Sequence, residues 1–348
     1  MELMITPVQL KMLTRQEALE LAFTEQLPQQ TYNGQDYLIL PSQLFYEAIG
    51  ITMPELPEVD FYSYETDSDP ELFREKSEGF SLLALSNQEL LCVRAADVKA
   101  IKSYAESQLL DLSTTTKVPP EQRIATLRRT AVLVMDDLFN DPSPENISRS
   151  SKVVGSFVYV IMKDPSAYLF LAKLSSHDPY TLQHSVGTAV NSIILGRKIG
   201  ITDETELTEL GMAGLLHDIG KTKIDSAIIN KEGPLNDDEW VEMKKHPQYG
   251  YELVKDHPEI AESTKRAILE HHEQPDQKGY PKQIPYDQVH LFAKIVCLSD
   301  IFNALITDRP YSKAISPFEA FKLIKLKISH KVDPELLNTL IRVYGGDI

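Results

Sequence analysis

An adjacent histidine and aspartate, His217 and Asp218, end an apolar segment whose residues recur at helical spacing. Asp203 can cap the start of this helix, and Glu206 occupies the position that completes a capping box. The pair therefore falls at a buried helix end, where an unpaired ionised carboxylate costs several kcal/mol. We expect Asp218 to meet a cation there. For the pair alone, a buried histidine hydrogen-bonded to its neighbour is the alternative interpretation.

Two other predicted helices each bring one histidine to a helix end. The helix predicted over 181–199 carries His184 in its first turn. Asn236 caps another helix, which we expect to end at His246 because Pro247 disfavours helical geometry in the residue before it. Both histidines therefore stand where a helix can present them to a shared site.

Two more helices supply the remaining candidates. Pro258 suits the first turn of a helix that leads directly to His271 and His272. The helix predicted over 289–306 holds Asp300 between apolar residues, where an unpaired carboxylate is again costly. Each of these residues also has a purely structural interpretation, but their joint pattern favours a shared site.

Five histidines and two aspartates are thus candidate metal ligands: His184, His217, Asp218, His246, His271, His272 and Asp300. Seven ligands are too many for one tetrahedral ion, but they suit two ions of higher coordination number that share a bridging carboxylate. Imidazole and carboxylate without thiolate favour Fe, Mn, Ni or Zn. Two such ions about 3.5–4 Å apart would clamp an in-line displacement at phosphorus, with a bridging hydroxide as nucleophile.

The first 100 residues have a different pattern. Helical spacing covers 14–23, whereas short apolar or β-branched runs predict strands at 36–40, 59–64, 80–85 and 89–94. From Asp97 onward strand signals vanish. The predicted fold class is therefore a small N-terminal α+β domain followed by an all-α helical bundle.

Breaker residues suggest where the chain divides. The clearest cluster runs from Asp141 to Pro144, a sequence of Asp, Pro, Ser and Pro. We predict a regulatory domain over 1–100, a helical linker over 101–150 and a catalytic domain over 151–348. Alternatively, helices from 97–175 are shared by both domains.

Charge and composition limit the partners and the compartment. The net charge is −16, and residues 1–150 hold 12 basic against 24 acidic side chains, so the chain should repel DNA or RNA. No apolar stretch approaches the roughly 18 residues that span a bilayer, and the N-terminus has no export signal. Two cysteines, Cys92 and Cys297, cannot form a disulfide framework. We expect a cytoplasmic protein with no membrane association.

The candidate ligands and their neighbours resemble the HD-GYP domain family of the HD phosphohydrolase superfamily. The resemblance covers about 175–335 and rests on these residues: His184, the 217–221 run His-Asp-Ile-Gly-Lys, His246, the 271–273 run His-His-Glu, the 279–281 run Gly-Tyr-Pro, and Asp300. It implies a helical domain that binds two or three metal ions and hydrolyses the bacterial second messenger cyclic di-GMP to pGpG or GMP. It also implies a preceding regulatory domain.

The resemblance assigns a role to each motif residue. One ion would be held by His184, His217 and Asp300, and the other by His246, His271 and His272, with Asp218 as the bridge. Iron is the first expectation for both ions, with Mn, Ni or Zn as alternatives. Phosphate or base contacts would come from Lys221, Arg309 and the loop residues Gly279, Tyr280 and Pro281. Three of these contacts also have a purely structural interpretation. Lys221 can be a charge at a helix end, Arg309 can be a surface ion-pair partner, and Tyr280 can serve loop packing.

The chain also departs from the family pattern, which keeps other functions open. Gln277 replaces a common glycine, Ser312 replaces a common basic residue, and Tyr180 stands where some members have a glutamate that holds a third metal. One alternative is a hydrolase acting on another cyclic dinucleotide. Another is a weakly active adaptor that binds GGDEF-type or other signalling proteins through the Gly-Tyr-Pro loop. The sequence leaves open whether the chain forms a homodimer.

Overall fold

The computed structural model describes residues 7–10, 13, 15–24, 26–45, 59–64, 70–74, 89–115, 119–163, 180–231, 233–307 and 313–345. The chain forms two compact units, Met1–Leu112 and Ser113–Ile348. The strand predicted at 80–85 lies outside the described residues.

The first unit contains an antiparallel sheet of five strands: β1 Gln29–Tyr32, β2 Gln35–Pro41, β3 Phe61–Ser63, β4 Leu72–Arg74 and β5 Leu90–Arg94. Their order is β1-β2-β5-β3-β4. The central strand β5 is buried at four consecutive positions, as expected for a strand covered on both faces. The strands predicted at 36–40, 59–64 and 89–94 are confirmed. Strands β1 and β4 were not predicted, because one is polar and half exposed and the other has three residues.

Three helices accompany the sheet: α1 Pro7–Leu10, α2 Arg15–Phe23 and α3 Val98–Thr114, with 3-10 turns at Ser42–Phe45 and Ala95–Asp97. Leu10, Ile39 and Cys92 belong to one buried apolar cluster, which joins α1 to the sheet. The Arg15 guanidinium donates a hydrogen bond of 2.7 Å to Oε1 of Gln108, which joins α2 to α3.

Among its described residues, the second unit has helices as its only regular secondary structure. Its helices are α4 Pro120–Asn140, α5 Pro144–Lys163, α6 Tyr180–Lys198, α7 Glu204–Leu216, α8 Ser226–Ile229, α9 Asp237–Met243, α10 His246–Val254, α11 Glu262–Glu270, α12 Leu291–Ile306, α13 Pro317–Leu323 and α14 Pro334–Gly345. Short 3-10 helices span Ile219–Lys223 and Ser329–Lys331, and a π-helical turn spans Ile324–Ile328. The predicted α+β and all-α organisation is confirmed. Among the described residues, no helix combines the length and apolar character needed to cross a membrane.

Helix α7 packs against α5, α6, α11 and α12 of the bundle. Its last six residues, from Gly211 to Leu216, are all buried. At Gly214 an added Cβ would lie 2.8 Å from Cα of Ala189 in α6, so the two helices touch backbone to backbone. This contact fixes the C-terminal end of α7 close to α6, and His217 is the next residue along the chain.

The sequence prediction placed two helix boundaries wrongly. We predicted that the helix capped by Asn236 would end at His246, but it ends at Met243, and His246 begins α10. Pro247 is tolerated there because the first turn of a helix does not use the missing N–H. Pro258 precedes α11, which begins only at Glu262.

Candidate metal centre

Asp218 lies at the junction between α7 and the short helix Ile219–Lys223. Within that helix, Gly220 packs directly against the first turns of α10. An added Cβ at Gly220 would lie 2.0 Å from the carbonyl oxygen of His246 and 2.3 Å from the backbone nitrogen of Gly250. Only glycine fits at this distance, and the close contact holds His246 beside Asp218.

The first group of donors contains His184 from α6, His217 and Asp300 from α12, with all donor atoms within 4.8 Å of one another. Nε2 of His184 lies 2.9 Å from Oδ1 of Asp300, and Nε2 of His217 lies 3.9 Å from the same oxygen. Both histidines are buried. We call this group the first triad.

The second group contains His246 at the start of α10 and the residues His271 and His272 that follow α11, again with donor atoms within 4.8 Å. Nε2 of His246 lies 3.3 Å from Nε2 of His271. The rings of His271 and His272 have centroids 4.1 Å apart. We call this group the second triad.

Asp218 lies between the two triads and is almost fully buried. Its Oδ2 atom is 3.3 Å from Nε2 of His217, and its Oδ1 atom is 3.4 Å from Nε2 of His246. Each carboxylate oxygen thus faces a different triad. Nζ of Lys221 donates to Oδ2 at 2.6 Å. The structure therefore brings all seven predicted ligands together.

The Nδ1 atoms fix the orientation of four imidazole rings. In His217, His246 and His271 the Nδ1–H group donates to the carbonyl oxygen three residues earlier, at 2.8 Å in each case. In His184 it donates to Oδ1 of Asn303 at 2.9 Å. An imidazole whose Nδ1 carries the hydrogen has its lone pair on Nε2, which is the form that ligates metals. All four Nε2 atoms point into the site.

Burial and charge act in opposite directions on the site. Burial raises the pKa values of Asp218 and Asp300, but nearby histidines outweigh it and hold both pKa values below the ordinary range. Burial lowers the pKa of His246 to about 4 and that of His271 to about 3, so both imidazoles are neutral at pH 7. For His217, burial lowers the pKa, yet the two carboxylates reverse the effect and raise it. The site therefore attracts positive charge.

These donors fit divalent metal ions. Nε2 of His246 and Nε2 of His271 are both hydrogen-bond acceptors, and two lone pairs at 3.3 Å repel each other without a cation. Nε2 of His217 is buried and makes no hydrogen bond within the described part of the chain. A cation in each triad would satisfy these nitrogens, and three N or O donors plus a shared carboxylate form a ligand set for Fe, Mn, Ni or Zn.

The predicted substrate contacts border this centre. The Lys221 side chain is 29% exposed, so it reaches solvent from its bond to Asp218. The ring of Tyr280 lies against His272, with centroids 4.5 Å apart and planes tilted by 31°. Gly279 is buried beside it, and the peptide bond between Tyr280 and Pro281 is cis. Arg309 lies outside the described residues.

The sequence analysis assigned no role to two residues that have structural roles at the site. Asn303 accepts the hydrogen bond of His184, and its amide is packed so closely on Gly187 that an added Cβ there would lie 2.1 Å from its Nδ2 atom. Glu273 is buried and accepts hydrogen bonds from the loop that follows Tyr280. Their only sequence signals were a polar residue one turn after Asp300 and the glutamate of the His-His-Glu run.

Comparisons with known proteins agree with this arrangement. The family model described as HD domain matches residues 172–336. A cyclic di-GMP phosphodiesterase from Pseudomonas aeruginosa is 32% identical over 57% of this chain and 47% of its own length. A 3'3'-cGAMP-specific phosphodiesterase from Vibrio cholerae is 32% identical over 48% of this chain and 36% of its own length. The chain thus spans less than half the length of these relatives.

A solved structure shares the fold. Bd1817, an HDG"Y"P protein from Bdellovibrio bacteriovorus, aligns with a TM-score of 0.64 and 20% identity, covering 89% of this chain and all of that one. The helical bundle and its two donor triads agree with this HD domain match, and HD-domain phosphohydrolases are a metal-dependent class. Residues 172–336 therefore form an HD domain, which agrees with the resemblance of the sequence to the HD-GYP family.

Proposed function

We propose that the chain is a metal-dependent phosphodiesterase that hydrolyses cyclic di-GMP to pGpG, GMP or both. One observation carries the proposal: the two oxygens of Asp218 face His217 of the first triad and His246 of the second. A carboxylate shared in this way suits two neighbouring cations, and two-metal centres catalyse in-line displacement at phosphorus. Relatives from Pseudomonas aeruginosa and Xanthomonas campestris are named cyclic di-GMP phosphodiesterases, which supports this substrate.

Each triad would hold one divalent transition metal ion, with Asp218 ligating both. Iron is the first candidate, and Mn, Ni and Zn are alternatives that the same imidazole and carboxylate donors accept. When bound, such ions supply Lewis acidity and an activated water at neutral pH. The backbone carbonyls and Asn303 that bind the Nδ1 atoms hold the imidazoles ready to ligate.

Lys221 would bind a phosphate oxygen of the substrate. An ammonium has three N–H donors, and one of them goes to Asp218. The other two can meet negative charge that grows on the phosphoryl group as the bond to the leaving oxygen breaks. Its contact with Asp218 also fixes its position, so little reorganisation is needed during the reaction.

The loop with Gly279, Tyr280 and Pro281 would contribute further substrate contacts, and Arg309 would add a second cation for phosphate. The position of Tyr280 against His272, at the border of the second triad, supports this role. A ring placed there can touch a substrate whose phosphate lies at the metals.

We also propose that residues 1–100 regulate the enzyme, that 101–150 act as a helical linker and that 151–348 form the catalytic domain. The strands of the described chain all lie before residue 95, which supports this division. We propose the cytoplasm as the compartment, since both cysteines are unpaired and buried and the substrate is an intracellular messenger.

Of the two alternative functions, one has specific support. Three relatives from Vibrio cholerae are named 3'3'-cGAMP-specific phosphodiesterases, which favours a hydrolase acting on that dinucleotide. An adaptor that binds GGDEF-type proteins through the Gly-Tyr-Pro loop would need that loop as a docking surface. The packing of Tyr280 on a candidate ligand favours the substrate role instead.

The decisive experiment is turnover by the full chain, metallated without oxygen using Fe(II) and, in parallel, Mn(II), Ni(II) or Zn(II). Cyclic di-GMP and 3'3'-cGAMP are offered separately, and products are separated by chromatography. We expect pGpG or GMP from cyclic di-GMP, with about two ions per chain by elemental analysis. Faster hydrolysis of 3'3'-cGAMP would favour the second function, and inert protein with both metals bound would favour the adaptor.

A further inference from the structure

We propose that Glu273 is a positioning residue for the substrate, because its carboxylate holds the loop of residues 277–283 so that Tyr280 lies over His272. We call this segment the tyrosine loop. The proposal rests on the phosphodiesterase function and adds a residue that touches neither the metals nor the reacting atoms.

The hydrogen bonds of Glu273 connect it to the far end of the tyrosine loop. Its Oε1 atom accepts the backbone N–H of Lys282 at 2.7 Å and that of Gln283 at 3.0 Å. Glu273 is only 2% exposed, so these bonds are shielded from water. Hydrogen bonds to an ionised carboxylate are stronger than those between neutral groups. Lys282 and Gln283 are therefore held to Glu273, which directly follows the candidate ligand His272.

The near end of the loop closes on the same segment. The backbone nitrogen of Tyr280 donates to the carbonyl oxygen of His272 at 3.1 Å, and that of Gln277 donates to Gln274 at 3.0 Å. At Gly279 an added Cβ would lie 2.4 Å from the His272 oxygen, so a larger residue would push the loop away. Tyr280 is thus held between a glycine contact on one side and the Glu273 bonds on the other.

Glu273 is placed there at a cost. Its second oxygen, Oε2, is buried and has no hydrogen-bond partner within the described residues. A buried carboxylate with one unsatisfied oxygen loses more hydration than an apolar residue of similar size. The hydrogen bonds to Lys282 and Gln283 offset this loss of hydration, and they act on the tyrosine loop alone.

This geometry separates two contributions to catalysis. The seven ligands and Lys221 act on the phosphoryl centre, whereas the tyrosine loop contacts a part of the substrate away from it. Loss of Glu273 should therefore weaken binding of a large cyclic dinucleotide and raise its KM. A small phosphodiester that needs only the metals should react at an unchanged rate.

The first test compares Glu273→Ala and Glu273→Asp with Glu273→Gln. Aspartate is one methylene too short to reach the loop, while glutamine keeps an oxygen acceptor of the same reach. We expect KM for cyclic di-GMP to rise roughly tenfold to a hundredfold in Glu273→Ala and Glu273→Asp, because both lose the charged hydrogen bonds to the loop. In Glu273→Gln, KM should return most of the way to the wild-type value. Metal content and turnover of bis(4-nitrophenyl) phosphate should stay at the wild-type level in all three.

The matched control is Glu270→Ala. Glu270 is also buried, lies three residues earlier at the end of α11, and accepts hydrogen bonds from Arg266 and the His290 backbone instead of the tyrosine loop. We expect it to lower stability without raising KM. A rise in KM equal to that of Glu273→Ala would show that any buried carboxylate at this helix end has the same effect, which overturns the proposal.

A double-mutant cycle tests whether Glu273 acts through Tyr280. If it does, Tyr280→Ala combined with Glu273→Ala should raise KM no further than Tyr280→Ala alone, because the second change has nothing left to misplace. Additive effects would overturn the proposal. So would loss of bis(4-nitrophenyl) phosphate turnover in step with cyclic di-GMP turnover in the folded Glu273→Asp protein.

If the wild type hydrolyses no cyclic dinucleotide, hydrogen–deuterium exchange still tests whether Glu273 holds the tyrosine loop. In the metallated full chain, the amides of Tyr280, Lys282 and Gln283 should exchange faster in Glu273→Asp than in the wild type, and at the wild-type rate in Glu273→Gln. Equal exchange in all three proteins would overturn the positioning role. Faster exchange in an inert enzyme would keep that role and reject the proposed function.

Discussion

Nε2 of His246 lies 3.3 Å from Nε2 of His271, although each ring already donates its Nδ1 hydrogen to a backbone carbonyl. Two lone pairs at this distance repel each other, and burial keeps both rings neutral by lowering their pKa values. The helix ends therefore hold two nitrogens close together, and a shared cation would satisfy both lone pairs. Asp218 faces this second triad through Oδ1 and the first triad through Oδ2.

Asp218→Asn should remove most of the metal from both triads. The substitution keeps the shape of the side chain, but a neutral amide cannot compensate two neighbouring cations. We expect elemental analysis to fall from about two ions per chain to less than one after desalting. The control is Asp225→Asn, because Asp225 caps the exposed helix α8 and asparagine caps equally well. Full metal content in Asp218→Asn would contradict a bridging role.

Asn303→Ala should weaken one metal site selectively. Asn303 fixes the ring of His184, which belongs to the first triad only. Loss of such an outer hydrogen bond typically costs about 10–100-fold in metal affinity. Titration against a chelator should show one weakened ion and one unchanged ion, and Asn303→Asp should restore the first because it keeps the acceptor.

Asn191→Ala is the matched control for this experiment. Asn191 is buried on the same helix as His184, but its Oδ1 atom accepts from the hydroxyl of Tyr344 and serves packing. It should lower the unfolding temperature and leave both ions bound. Equal weakening of both ions in Asn303→Ala would mean that the residue supports the bundle and not the first triad.

The sequence was most informative where a residue and its reason lie close together in the chain. The caps at Asp203 and Asn236 depend on contacts three residues away, and the structure contains both. The reciprocal bond of a capping box, predicted at Asp203, is found instead at Asn236, where Glu239 accepts the backbone N–H. The start of a helix at His246 could not be predicted in this way. Pro247 fits both the residue after a helix end and the first turn of a new helix, so the local sequence did not decide between the two.

Contacts between distant residues explain what the sequence analysis missed at the site. Asn303 and His184 are 119 residues apart in sequence, so no local pattern joins them. The bonds of Glu273 go to residues 9 and 10 positions later, across a loop without regular periodicity. Ligand types could be predicted because buried histidines and aspartates are costly without partners, whereas the groups that orient them are ordinary polar residues.

Gln277→Gly should cost less stability than the same change at a nearby position. Gln277 has a φ of +56°, a left-handed conformation that strains any residue except glycine by roughly 1–2 kcal/mol. Relief of that strain should offset the entropy that glycine loses on folding, about 0.5–1 kcal/mol. The control Gln274→Gly lacks the strain and should show the entropy loss alone. Denaturant unfolding of the metallated proteins measures both, and equal losses would contradict a strained Gln277.

Lys221→Ala distinguishes the enzyme from the adaptor. Lys221 cannot ligate a metal while protonated, and its ammonium lies 2.6 Å from the proposed bridge Asp218. The variant should keep both ions, because all seven ligands remain. It should lose about 10²–10³ in kcat, since one donor to the developing phosphoryl charge is missing. The measurement is kcat for cyclic di-GMP at matched metal content.

Lys223→Ala serves as the control for this loss, because Lys223 lies in the same short helix with an exposed side chain. It removes the same charge from the same turn without touching Asp218, so its kcat should equal that of the wild type. A fully metallated Lys221→Ala protein with wild-type turnover would reduce Lys221 to a helix-end charge. If both variants lose kcat equally, the effect arises from the general positive potential near the site and not from a placed donor.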